Sequence, residues 1–206
     1  MSKIQVDTID TRSGTSTMQI GSTNTTTITL GVSGDTINVP SGATFNVAGT
    51  LQSGGAALGN APAFQAYLNS SQSISDSTWT KVEFDTEQFD TNSDYDNSSN
   101  YRFTPTVAGK YYIYASIKPE TGSNDNNIDL VQMKIRRNGV DYSGMQFDFR
   151  SDSDGRKFQI SASNVMDMNG SSDYAEVYGY LKCGTGTRVF AGGQDNAYFG
   201  GYKLIT

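Results

Sequence analysis

The sequence predicts an all-β chain, and three observations carry that prediction. Apolar residues recur two apart in short runs, the period of a strand with one buried face. Segments rich in Gly, Asn, Asp and Ser, such as TGSNDNN at 121–127, separate these runs and supply turn chemistry. No stretch keeps helical periodicity over three turns. At 206 residues, 35% hydrophobic and 11% aromatic, the chain is too apolar for disorder and suits one or two domains.

Composition divides it near residue 60. Phe45 is the only aromatic residue in 1–60, and Lys3, Asp7, Asp10, Arg12 and Asp35 are the only charged ones. The run GGAALGNAP at 54–62 reads as the joint, because glycine and small residues set no regular element there. The expected domains are a repetitive segment over 1–60 and a globular one over 61–206.

In the first segment, apolar pairs recur as Met18/Ile20, Ile28/Leu30, Ile37/Val39 and Phe45/Val47, with Gly21, Gly31, Gly34, Gly42 and Gly49 between them. Each unit is about one short strand and one turn. So few apolar side chains cannot offset the entropy of ordering sixty residues in a single chain. The segment is therefore either a linker or a structure whose core several copies share. A linker has no reason to alternate, so the pairs favour a stalk of three chains, a β-prism or intertwined β-helix without lone strand edges. The second segment offers strands at 63–68, 80–84, 110–118, 130–137, 157–165, 175–182 and 198–205. Several short strands with turn signals between them predict a sandwich or barrel.

Whole classes of function are excluded. Histidine is absent, so no Ser-His-Asp or Cys-His constellation and no His-ligated metal is available. Cys183 is the only cysteine, which rules out an intrachain disulfide or a CxxC site. A net charge of −6 gives no footprint for nucleic acid. No apolar run is long enough to insert in a membrane as a helix, and the start has no apolar core of an export signal.

One segment is more specific than composition. RFTPTVAGKYYIYASI at 102–117 places Phe103, five intervening residues, then Gly109 and Tyr111, with Phe84, Asp90 and Tyr95 spaced upstream. This resembles the signature of C1q-like heads, which share a jelly roll with the tumour necrosis factors. PAFQA at 62–66, SDYAEV at 172–177 and YFGGYKL at 198–204 are similar to that family's first, penultimate and last strands. Two departures stand out: the step from Tyr95 to Phe103 is one residue longer than the common spacing, and Ile113 and Ala115 replace usual aromatics. The resemblance implies a C1q/TNF-like jelly-roll head that assembles as a homotrimer, which is what the repetitive segment also requires. The opening SKIQVDTIDTRSGTSTMQIG resembles amino-terminal segments of virion proteins from tailed phages, marine ones in particular. There is no Gly-X-Y run for a collagen stalk.

Together these readings predict a phage virion protein, a tail fibre or capsid decoration, held to other virion proteins by its amino-terminal segment. It is expected to present the head to a host-surface glycan or protein without catalysis. A capsid cement that binds no receptor, or a polysaccharide depolymerase using two carboxylates, are the alternatives; no acidic pair is singled out by spacing. Trp79, Tyr95, Tyr142 and Tyr198 fall near expected strand ends, where a ring can stack on a sugar, although core or interface is the plainer role for each. Loops around Tyr95, Asp125 and Asp152 are the expected contact region. Calcium candidates are Asp94, Asp96, Asp152 and Asp154, since calcium takes oxygens from carboxylates on turns; an EF-hand frame ending at Gly155 fails at Arg150. Solvated, turn-forming aspartates are the plainer reading. No other cofactor is expected.

Overall fold

The structure is a computed structural model and describes residues 27–28, 36–49, 52–53, 56–57, 60–122, 128–150 and 157–204. The chain divides into two compact units, Met1–Gly49 and Thr50–Thr206, whereas composition alone puts the change near residue 60. Among the described residues of the first unit no strand forms within the single chain. A turn at Ser41 and Gly42 is closed by the Ala43 amide donating to the Pro40 carbonyl at 3.0 Å. Ile37, Val39, Phe45 and Val47 are all exposed, Phe45 by 65%. Met18, Ile20 and Leu30 lie outside the described residues.

The second unit is all-β, with no helix among the described residues. A two-residue ladder, β1 (Gln52–Ser53) with β2 (Ala56–Ala57), precedes the head. The head's elements are β3 (Ala63–Tyr67), β4 (Gln72–Ser73), β5 (Thr80–Lys81), β6 (Thr86–Asp90), β7 (Tyr95–Asp96), β8 (Arg102–Phe103) and β9 (Gly109–Ile117). There follow β10 (Pro119–Thr121), β11 (Ile128–Arg137), β12 (Val140–Asp148), β13 (Ile160–Met168), β14 (Ala175–Cys183), β15 (Arg188–Phe190) and β16 (Tyr198–Lys203). One sheet runs β13-β9-β16-β3-β6; the other runs β12-β11-β14-β8-β7 with β5 also on β14. A small sheet, β10-β15-β4, extends the structure. Every pairing is antiparallel, and β16 lies between β9 and β3, so the last strand fills the place beside the first. This is the jelly-roll sandwich that the sequence predicts.

Alternation decides which side chains enter it. Phe64 and Ala66 of β3, Tyr111, Ile113 and Ala115 of β9, and Met133 and Ile135 of β11 are buried, while their neighbours point out. The signature residues acquire a physical meaning here. Phe64 stacks on Tyr95 at 5.1 Å and on Phe103 at 4.2 Å, and meets Phe199 edge-on at 4.9 Å. Phe103 continues to Tyr111 at 5.6 Å, and Phe199 to Phe84 at 5.7 Å. These ring pairs join strands of both sheets in the geometries that aromatic quadrupoles favour. Asp90 is not part of that core: its carboxylate accepts from the Tyr95 amide at 2.7 Å and the Asn92 amide at 3.1 Å, stapling the turn before β7. Gly109 opens β9 at φ +153°, a backbone state that side-chain-bearing residues rarely adopt.

The short strands β4, β7, β8, β10 and β15 and the five-residue β6 are additional to the predicted ones, and three longer segments differ from their predicted form. The 80–84 strand has only Thr80 and Lys81 on the ladder, although Val82 and Phe84 are buried and the Val82 amide donates to the Val177 carbonyl at 2.9 Å. The 157–165 strand starts at Ile160 and runs to Met168. The nine-residue β12 is absent from the prediction because its apolar pairs, Val140/Tyr142 and Met145/Phe147, fall out of phase across Gly144, and its side chains are exposed or half-buried throughout.

Tyr111 is fully buried and its hydroxyl donates to the Val107 carbonyl at 2.6 Å. Tyr111→Ala is expected to lower head stability by about 3–5 kcal/mol in chemical denaturation, the usual cost of deleting a buried ring. An unchanged midpoint would contradict this packing.

Candidate functional site

The predicted contact residues are dispersed by the fold. Asp125, Asp152 and Asp154 lie outside the described residues. Tyr95 is corrected from loop to core: it is 6% exposed, and its hydroxyl donates to the Phe84 carbonyl at 3.0 Å. Burial, with a smaller effect of Asp96, raises its phenol far above the ordinary range. Tyr142 sits inside β12, not near a strand end, 42% exposed with its hydroxyl 3.3 Å from the Val165 carbonyl. Trp79 is half-buried just before β5, its ring 5.4 Å from that of Tyr180.

The two described calcium candidates hold different segments. Asp94 is 6% exposed; one carboxylate oxygen accepts from the Thr106 amide at 3.1 Å, and the other has no partner among the described residues. Asp96 accepts from the amides of Ser99 at 2.9 Å, Ser98 at 3.0 Å and Asn100 at 3.1 Å, and from the Asn100 side chain at 2.7 Å. Those donors, Ser99 first, hold its carboxyl well below the usual carboxylate range. Asp96 therefore serves as a turn cap. Among the described residues no three Asp, Glu or Cys side chains gather as a metal cage would require.

A tyrosine cluster that residue-by-residue reasoning overlooked covers the outward face of the β13-β9-β16-β3-β6 sheet. In β9 the alternation that buries Tyr111 and Ile113 turns Tyr112 and Tyr114 outward. Register sets Tyr202 of β16 beside Tyr112 and Gly200 beside Tyr114. Tyr112 lies 5.6 Å from Tyr202 and 6.0 Å from Tyr114, and Tyr114 lies 6.3 Å from Tyr198. A side chain at position 200 would collide with the Tyr114 ring, so glycine is what lets that ring lie flat across β16. The Tyr114 hydroxyl donates to Gln65 at 2.8 Å, and burial followed by the neighbouring Tyr198 raises its pKa. Beside these rings a depression of about 370 Å³ is lined by Tyr112, Tyr114, Tyr198 and the small residues Ser161, Ala162 and Ser163. Tyr112 and Tyr114 were legible in the run YYIYASI, which is apolar or aromatic on both faces of one strand.

At the neighbouring edge, β12 exposes Val140 by 69% and Met145 by 41%, and β13 exposes Val165 by 40%.

No protein-family model matches the chain, and no curated protein matches it. Solved structures do. The globular domain of zebrafish complement 1qA is 18% identical with a TM-score of 0.50, covering 70% of this chain and 98% of its own. Murine APRIL is 11% identical with a TM-score of 0.51, covering 69% and 98%. Eiger TNF from S. frugiperda is 12% identical with a TM-score of 0.48, covering 69% and 92%. The head is therefore a C1q/TNF-like jelly roll.

The Asp96 cap carries a pH signature. Its folded pKa is depressed, so the stability it contributes is complete above the unfolded value of about 4 and declines as pH falls toward the folded value. The melting-temperature gap between wild type and Asp96→Ala is expected to stay constant from about pH 7 to 5 and to narrow from about pH 4 to 2. A gap that widens on acidification would contradict the cap.

Proposed function

We propose that this chain is a homotrimeric virion protein of a tailed phage, a tail fibre or capsid decoration whose head attaches to the host surface without catalysis. The observation that carries the trimer is the tyrosine face. Four half-buried rings on a central sheet face, with small residues beside them, offer aromatic surface that further copies can cover. Three copies meeting around an axis bury it, and the exposed edge of β12 supplies further apolar area for the adjoining copy.

The first unit supports the same arrangement, since Ile37, Val39, Phe45 and Val47 have no core within one chain. Three chains give those pairs a common interior. The likeness of residues 2–21 to phage virion segments supports attachment of that end to other virion proteins, which leaves the head for the host. Three weak contacts on one trimer gain avidity wherever receptors are dense.

Light scattering of the full chain is expected to return three times the chain mass, and Tyr112→Glu with Tyr198→Glu is expected to lower the melting temperature of that assembly, because burying carboxylates in that face is costly. A monomeric wild type at micromolar concentration overturns the trimer. Labelled wild-type trimer is expected to bind cells of the phage's host and to release no reducing sugar from their envelope polysaccharide. Absence of binding, with particles lacking the protein leaking DNA on heating, replaces this reading with the cement.

A further inference from the structure

The outward face of the β12-β11-β14-β8-β7 sheet combines rings and cations on a chain whose net charge is −6. Register fixes the layout: Tyr178 of β14 stands between Lys81 of β5 and Lys134 of β11, and Glu176 stands opposite Arg136. The Arg136 guanidinium lies 4.0 Å from the centre of the Tyr178 ring, and the Lys81 ammonium 5.8 Å from it. The Lys134 ammonium lies 4.9 Å from Trp79. Arg102 lies 4.4 Å over the ring of Tyr174.

Carboxylates neutralise part of this charge and leave part of it open. Lys81 pairs with Glu176 at 2.5 Å, while Asp141 takes both Arg136 at 2.7 Å and Lys134. No Asp or Glu among the described residues forms an ion pair with Arg102. Opposite Lys134 in β12 stands Gly144, where a Cβ would lie 2.6 Å from the Met133 carbonyl oxygen. The strand thus carries no side chain there, and two shallow depressions of about 210 and 240 Å³ meet at Lys134 and Gly144.

We propose that this sheet face binds acidic polysaccharide, with a sugar ring stacked on Trp79 and an anionic group paired to Arg102. The proposal rests on the reading of the head as a host-attachment module and names the ligand class. Half-buried rings such as Trp79 accept the apolar faces of sugars. The Arg102 guanidinium, held over the Tyr174 ring and in no ion pair among the described residues, is matched to carboxylate or sulfate. A polyphosphate duplex fits less well, because six or more unpaired cations would be needed to outweigh the repulsion of an acidic chain. The tyrosine face has no such cations at its centre, so the two outward faces divide the work of assembly and recognition.

Trp79 is the only tryptophan, so its fluorescence in the full chain reports directly on this face. The probes are a galacturonic acid hexamer, a sulfated galactose hexamer and a neutral galactose hexamer. The expected result is a saturable change with at least one acidic hexamer, weakened by added salt, and little with the neutral one. Arg102→Gln is expected to weaken acidic binding about tenfold or more, the scale of one hydrogen bond to a charged group, with melting unchanged. Silence with both acidic hexamers, an equal response to the neutral one, or full affinity in folded Arg102→Gln overturns the proposal. Cell binding separates it from the attachment reading. Cells that bind wild type and Arg102→Gln alike, with silent fluorescence, overturn the face and keep the attachment. Responsive fluorescence without cell binding does the reverse.

Discussion

Phe64 is the contact on which the head depends. It belongs to β3 of one sheet and stacks between Tyr95 and Phe103 of the other, with Phe199 against its edge. Rings packed at these distances fix the separation and relative orientation of the sheets more tightly than aliphatic side chains do. Once that interior is filled, strand alternation leaves no choice for the intervening residues. Tyr112 and Tyr114 must face outward from one sheet, and Lys134, Tyr178 and Tyr180 from the other.

The two outward faces then differ in what they ask of solvent. The β9 and β16 face is aromatic and uncharged at its centre, with the Lys110–Asp167 pair, 2.7 Å apart, at one end. Removing it from water costs little beyond the hydroxyls, which can keep hydrogen bonds such as that from Tyr114 to Gln65. The β11 and β14 face holds lysine and arginine, whose desolvation is expensive. In the proposed trimer the first face turns inward for that reason, and the second stays open for a charged ligand.

Much of the fold was legible in the sequence because its strands are amphipathic and its core aromatic. The spacing of Phe84, Tyr95, Phe103, Gly109 and Tyr111 marked residues that meet in one cluster, even though Ile113 and Ala115 depart from the family pattern. The strand β12 was not legible, since Gly144 puts its two apolar pairs, Val140/Tyr142 and Met145/Phe147, out of phase. The site was less legible than the fold. Tyr95 carries the same residue type in a core as at a sugar-binding loop, and only packing separates the two roles. Arg102 and Tyr174 lie 72 positions apart in sequence, so their stacking was invisible without the pairing of β8 with β14.

The central claim is that the tyrosine face is covered by copies of the same chain while the cationic face is not. Hydroxyl-radical footprinting tests it directly, by comparing wild type above and below its assembly concentration and reading oxidation at each tyrosine by mass spectrometry. The account predicts that Tyr112, Tyr114, Tyr198 and Tyr202 gain reactivity on dissociation while Tyr178 and Tyr180 stay unchanged. Equal reactivity of the first four in both states, or protection moving to Tyr178 and Tyr180, would contradict it.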